Sequence, residues 1–144
     1  IESCDDFIWL EGAQEAIKLL NNSSYITILI TNQPGVAKGN MSLDDLDSIH
    51  SKMQNDLKEI GAHIDYIYTC THDWSENCEC RKPKPGLLYQ AQRDLSLNIP
   101  KNCVSFGDAN RDEKMANSAN CRHYHISKDY PLITAVNDLL NSEN

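Results

Sequence analysis

The sequence predicts an α/β domain in three layers, a parallel sheet with helices packed on both faces. Three observations carry this. Short β-prone runs alternate with amphipathic helical segments along the chain. The run Tyr25-Ile26-Thr27-Ile28-Leu29-Ile30 is almost continuously β-prone, as suits a strand buried on both faces. The residues able to do chemistry fall just after the strand ends, where the site of such a sheet lies.

The elements follow in order. Gly12 to Leu20 carries apolar residues at helical spacing (Ala13, Ala16, Ile17, Leu20) and stops at Asn21-Asn22-Ser23-Ser24. The first strand is Tyr25 to Ile30. Ser42, with Asp45 three residues on, starts a helix that runs to about Ile60 before Gly61. Its apolar stripe is Leu43, Leu46, Ile49, Met53, Leu57 and Ile60. Ile64 to Thr69 is the second strand, Gly86 to Leu95 a helix, Val104 to Phe106 the third strand and Asp112 to Ala119 a helix. His123 to Ile126 is the fourth strand and Leu132 to Leu140 the closing helix. No repeat, low-complexity tract or linker interrupts them, so residues 1–144 read as one domain with right-handed crossovers.

Charge and hydropathy narrow the partners. Acidic residues outnumber basic ones 21 to 13, for a net charge of −8, which argues against nucleic acid. No apolar stretch approaches the roughly 20 residues that span a bilayer. No signal peptide is recognisable, and the expectation is a cytoplasmic monomer.

Cys70, His72, Cys78 and Cys80 give the spacing Cys-x-His-x5-Cys-x-Cys, and all four are ligand types that a tetrahedral Zn²⁺ accepts. Two tight pairs on a short polar loop over 70–80 can converge on one ion. The alternatives are disulfide partners or unrelated thiols. Cys78 and Cys80 are too close in sequence for an easy mutual bridge, and 6 cysteines in 144 residues is below the density of a stapled scaffold. Cys103 and Cys121 read as core residues, and Trp74 as a cover for the metal knot. His50, His63, His123 and His125 read as surface or packing residues.

The strand ends make a second, independent argument. The first runs into Thr31-Asn32-Gln33-Pro34-Gly35, the second into the cysteine loop with Arg81-Lys82, and the third into Gly107-Asp108-Ala109-Asn110-Arg111-Asp112. A hydroxyl, an amide, a lysine and two aspartates on one edge suit phosphoryl chemistry. Thr31 can bind phosphate oxygens, Lys82 can neutralise charge and Asp108 can hold Mg²⁺. Taken singly, Thr31-Asn32 could be a turn, Asp108 a helix cap and Arg81-Lys82 a solvated basic step.

Together the residues resemble the haloacid dehalogenase (HAD) superfamily of phosphatases, whose fold is Rossmann-type. Within it they resemble the D,D-heptose 1,7-bisphosphate phosphatases and the related histidinol-phosphate phosphatases. The likeness rests on Ile30 to Gly39, the Cys70–Cys80 quartet followed by Arg81-Lys82-Pro83, and Gly107-Asp108-x-x-x-Asp112. It implies Mg²⁺-dependent hydrolysis of a sugar bisphosphate through an aspartyl-phosphate. Thr31 and Lys82 would stabilise the transferring group, Asp108 would ligate Mg²⁺, and Asp112 would support that site from behind. Asn32, Gln33, Pro34, Arg81 and Ala109 would line the substrate pocket, and Zn²⁺ would be structural.

One departure stands out. The family's nucleophile lies in an Asp-x-Asp element after an N-terminal strand, and Asp5-Asp6 is not such an element. The expectation is an enzyme whose first strand precedes Ile1; the alternative is a non-catalytic HAD-like domain that binds a phospholigand or a protein. Ala109 is a smaller departure, since many relatives have a basic residue there.

Overall fold

The structure is a computed structural model and describes residues 9, 11–33, 36–72, 77–97 and 103–143. Cys4, Asp5, Asp6, Pro34, Gly35 and Trp74 lie outside the described residues.

Helix α1 spans Ala13–Asn21, β1 Ile28–Asn32, α2 Leu43–Lys58 and β2 Tyr66–Cys70. Helix α3 spans Gly86–Leu95, β3 Val104–Gly107, α4 Asn110–Ser118, β4 Arg122–His125 and α5 Leu132–Ser142. Among the described residues the strands form two parallel pairs, β1 with β2 in the register Ile28↔Tyr66 and β3 with β4 in the register Val104↔Arg122.

Neighbouring residues of β1 face opposite layers. Leu29 packs, as do Ile17 and Ile67, on the cluster of Met53, Leu57, Ala62 and Ile64, whereas Ile30 packs on the separate cluster that contains Leu88, Met115 and Ala116. A strand sandwiched in this way keeps apolar residues on both faces, which explains the unbroken run in its sequence. Helix α5 lies against α1, with Ala135, Val136 and Leu139 fully buried.

Several boundaries differ from the sequence reading. Strand β1 begins at Ile28 rather than Tyr25, because Thr27 is committed to its neighbour: its backbone N–H donates to Asp65 Oδ2 at 2.8 Å and its hydroxyl to the same oxygen at 3.0 Å. At its other end β1 runs on past Ile30, because Thr31 pairs with Thr69 and Asn32 with Cys70, so both are strand residues, not turn residues. Helix α4 begins two residues earlier than expected, because Asp112 reaches back to the Ala109 N–H from the third helical position. Leu43, placed in the apolar stripe of α2, is 62% exposed at the first turn. The Ser42 cap holds: its hydroxyl accepts the Asp45 N–H and Asp45 Oδ2 accepts the Ser42 N–H, each at 3.0 Å. Cys103 and Cys121 do pack in the core, but they are also joined as a disulfide across the starts of β3 and β4.

Candidate active site

Lys82 joins the carboxyl end of β1 to the first turn of α4, the helix that follows β3. Its ammonium donates to Asp112 Oδ1 at 2.7 Å and to the Ile30 carbonyl at 3.2 Å. Both charged side chains are almost out of solvent, at 12% and 11% exposure. Two buried opposite charges hold each other in place only when hydrogen bonds satisfy what remains of each. Asp112 meets that condition, since its other oxygen accepts the Ala109 N–H at 3.2 Å. Gly107 permits the arrangement: a Cβ there would lie 2.5 Å from that of Asp112.

The remaining expected residues distribute unevenly. Thr31 stands at the edge with its hydroxyl accepting from Gln33 Nε2 at 3.1 Å, while Gln33 N donates to the Cys70 carbonyl at 2.7 Å. Asn32 turns its side-chain amide onto the Lys82 backbone, with Oδ1 3.1 Å from Lys82 N and Nδ2 3.4 Å from Lys82 O. Asp108 is exposed directly after β3, and Ala109 occupies the helix cap. Arg81 is half-buried one residue before Lys82. A cavity of about 1990 Å³ is lined by Ile28 and Ile30 of β1 and by Val104 and Phe106 of β3, and it reaches Lys82 and Asp108 at the site.

Cys70, His72, Cys78 and Cys80 come together as the spacing predicts, with one ligand atom from each within 4.8 Å of all the others. Cys70 is the last residue of β2 and is 1% exposed, so the knot is rooted in the sheet. Its Sγ lies 3.6 Å from Cys78 Sγ and 3.5 Å from His72 Nδ1, and His72 Nδ1 lies 3.1 Å from Cys80 Sγ. A tetrahedral ion with Zn–S bonds near 2.3 Å needs ligand separations of about 3.8 Å; the donor set fits in chemistry and the Cys70–Cys78 spacing comes near that size, whereas Cys70 Sγ and Cys80 Sγ, at 2.6 Å, would have to part to admit the ion. Burial and the adjoining Cys70 and Cys78 sulfurs push the Cys80 thiol up to about 12. Burial also opposes ionisation of Cys78, but the Arg81 N–H and the Cys70 and Cys80 thiols bring it down to about 7. Crowded sulfurs that resist ionising together are what a divalent cation relieves.

Two features of the knot escaped the sequence reading. Lys84 straps it from outside, its ammonium donating to the Cys78 carbonyl at 2.7 Å and to Asn77 Oδ1 at 3.2 Å. Gly86 opens α3 against the loop so tightly that a Cβ would stand 2.1 Å from the Glu79 carbonyl oxygen. The Lys82–Asp112 pair was also missed. Its signal was present in Gly-Asp-x-x-x-Asp, which sets the second aspartate in the first turn of the following helix.

The profile of the polynucleotide kinase 3 phosphatase family matches residues 1–134. A D-glycero-beta-D-manno-heptose-1,7-bisphosphate 7-phosphatase of Bordetella bronchiseptica is 34% identical over 121 residues, covering 84% of this chain and 67% of the relative. One of the same description from Pasteurella multocida is 31% identical over 140 residues, covering 93% and 76%. The crystal structure of D,D-heptose 1.7-bisphosphate phosphatase from B. bronchiseptica, complexed with magnesium and phosphate, superposes with a TM-score of 0.91 at 28% identity, covering 99% of this chain and 89% of that one. With its parallel strands and its charged edge at Lys82, the chain belongs to the polynucleotide kinase 3 phosphatase family, among HAD-like phosphatases that include the heptose-1,7-bisphosphate 7-phosphatases.

Proposed function

We propose that the intact protein is a Mg²⁺-dependent phosphatase acting on a sugar bisphosphate, D-glycero-D-manno-heptose 1,7-bisphosphate, at its 7-phosphate. The observation that carries this reading is the Lys82 ammonium fixed by Asp112 and Ile30 at the strand ends, in a cavity that also reaches Asp108, with Thr31 following Ile30 in β1. An ammonium has three hydrogens, and two are engaged, so the third is available to a phosphate oxygen. The Thr31 hydroxyl accepts from Gln33, which leaves its own hydrogen to donate to phosphate. Asp108, with phosphate and water oxygens, would hold Mg²⁺. When bound, that ion supplies charge neutralisation to the phosphate oxygens.

The attacking carboxylate would come from an Asp-x-Asp segment at the carboxyl end of a strand seated between β1 and β3, where the cavity opens toward Lys82 and Asp108. Zn²⁺ at Cys70, His72, Cys78 and Cys80 would fix the loop that delivers Arg81 and Lys82. We further read the protein as a cytoplasmic monomer, in a compartment that would keep the Cys103 and Cys121 sulfurs as thiols. Among the described residues no helix is long and apolar enough to cross a membrane.

The test is phosphate release with and without Mg²⁺ from heptose 1,7-bisphosphate, histidinol phosphate and a 3′-phosphorylated oligonucleotide. Turnover of the heptose ester above the other two is expected. The net charge of −8 disfavours the oligonucleotide. Faster turnover of histidinol phosphate or the oligonucleotide would replace the heptose reading with that substrate. No turnover of any ester, with phosphate still bound, would establish the non-catalytic alternative.

A further inference from the structure

Asn32 spends its side-chain amide on a single residue. Its Oδ1 accepts the Lys82 N–H at 3.1 Å, and its Nδ2 donates to the Lys82 carbonyl at 3.4 Å. An amide that presents an acceptor and a donor side by side imitates strand backbone. Asn32 thereby extends the bonding of β1 sideways, onto the segment that leaves the cysteine loop. The contact spans a sequence separation of 50 residues, so no local turn explains it.

The other end of Lys82 meets the same strand. Its ammonium reaches the Ile30 carbonyl at 3.2 Å, two residues before Asn32, and Asp112 at 2.7 Å. One short stretch of β1 thus fixes Lys82 at its backbone and at its charged tip. The metal knot alone cannot do this. Cys80 anchors the chain two residues upstream, and between that anchor and the ammonium lie the backbone torsions at Arg81 and Lys82 and the rotatable lysine stem. Hydrogen bonds to both the N–H and the carbonyl of Lys82 remove the backbone part of that freedom.

We infer that Asn32 is a positioning residue that acts through Lys82, rather than a group that touches the sugar phosphate. This rests on the reading of Lys82 as the stabiliser of the transferring phosphoryl group. The assignment differs from the one the family resemblance implies, in which Asn32 lines the substrate pocket.

The experiment is a double-mutant cycle in the intact protein with Mg²⁺ and heptose 1,7-bisphosphate. It compares Asn32→Ala, Lys82→Ala and the double variant, with Asn32→Asp as a fourth. Loss of orientation alone should lower kcat about tenfold in Asn32→Ala and leave KM within about twofold. In the Lys82→Ala background the same change should have no further effect on kcat, because the group it orients is gone. Asn32→Asp keeps the acceptor for the Lys82 N–H, so it should retain more activity than Asn32→Ala.

Multiplying effects in the double variant would show that Asn32 works on the substrate directly and would overturn the inference. So would an Asn32→Asp variant slower than Asn32→Ala, since a carboxylate facing a phosphate repels it. Lys82→Ala with parental activity would overturn the reading of Lys82 itself, and the inference with it, which separates the two failures. Should Asn32→Ala fail to fold, Asn32→Asp alone decides: a KM increase at constant kcat is the outcome that rejects a positioning role.

Discussion

Lys82 and Asp112 form a buried ion pair at 2.7 Å between the segment leaving the cysteine loop and the first turn of α4. Each satisfies a charge that the other's absence would strand. Asp112 therefore belongs to the lysine at least as much as to a metal.

Asp112→Asn is expected to cost about 3 kcal/mol, because it leaves the Lys82 ammonium buried without its counter-charge. Urea titrations of parent and variant measure this. A loss below about 1 kcal/mol would mean that the pair is more solvated than its exposure indicates.

Lys82→Ala should lower kcat by about 10²- to 10³-fold, the usual consequence of removing one preorganised stabiliser of transition-state charge. Steady-state kinetics on the heptose ester checks this, and an unchanged kcat would reject the role.

Elemental analysis of freshly purified, reduced protein is expected to give one zinc per chain. Four protein ligands would leave no open position, so the ion would take no direct part in the chemistry. Chelation or mild acid should release it, since the thiols must be deprotonated to bind. Far-UV circular dichroism should persist while activity falls, because β2 and α3 belong to the main architecture and only residues 70–82 lose their anchor. Zinc-free protein at full activity would contradict this.

Gly86→Ala should weaken the same knot from outside. The new methyl would meet the Glu79 carbonyl oxygen at 2.1 Å, and backbone on both sides leaves it nowhere to go. An overpacking cost of about 1–3 kcal/mol is expected, together with faster zinc loss to a chelator. Unchanged release kinetics would show that the loop and α3 move apart freely.

Asp65 ties the entrances of β1 and β2 and should impose an acid limit. Burial alone would raise its carboxyl, but the Thr27 N–H and hydroxyl and the His63 ring hold it below its ordinary value of 3.8. A folded-state value below the unfolded one gives stability that is complete above 3.8 and lost as pH falls through the lower folded value. Thermal melts from about pH 6 to about pH 2 should show this decline, and Asp65→Asn should flatten it. Parallel curves for the two proteins would exclude the assignment.

Much of this was legible in the sequence because it rests on local patterns. The Ser42–Asp45 cap, the cysteine loop and the alternation of strands with helices are each set by residues close in the chain. What was not legible depends on residues far apart. Thr27 leaves the strand because Asp65 captures it, the Asn32 amide bonds to the Lys82 backbone across 50 residues of sequence, and Cys103 finds Cys121 only when β3 and β4 align. Leu43 was misplaced for a different reason: the first turn of a helix projects past the core that the rest of its stripe covers.

The registers of the two strand pairs carry a kinetic consequence. Val104 meets Arg122 across 18 residues, whereas Ile28 meets Tyr66 across 38. The shorter loop closes at lower entropic cost, by about 0.7 kcal/mol on logarithmic scaling. The β3–α4–β4 unit should therefore form first and serve as the template on which the β1–α2–β2 half assembles. The docking of α1 on α5, which joins the two ends of the described chain, should come last.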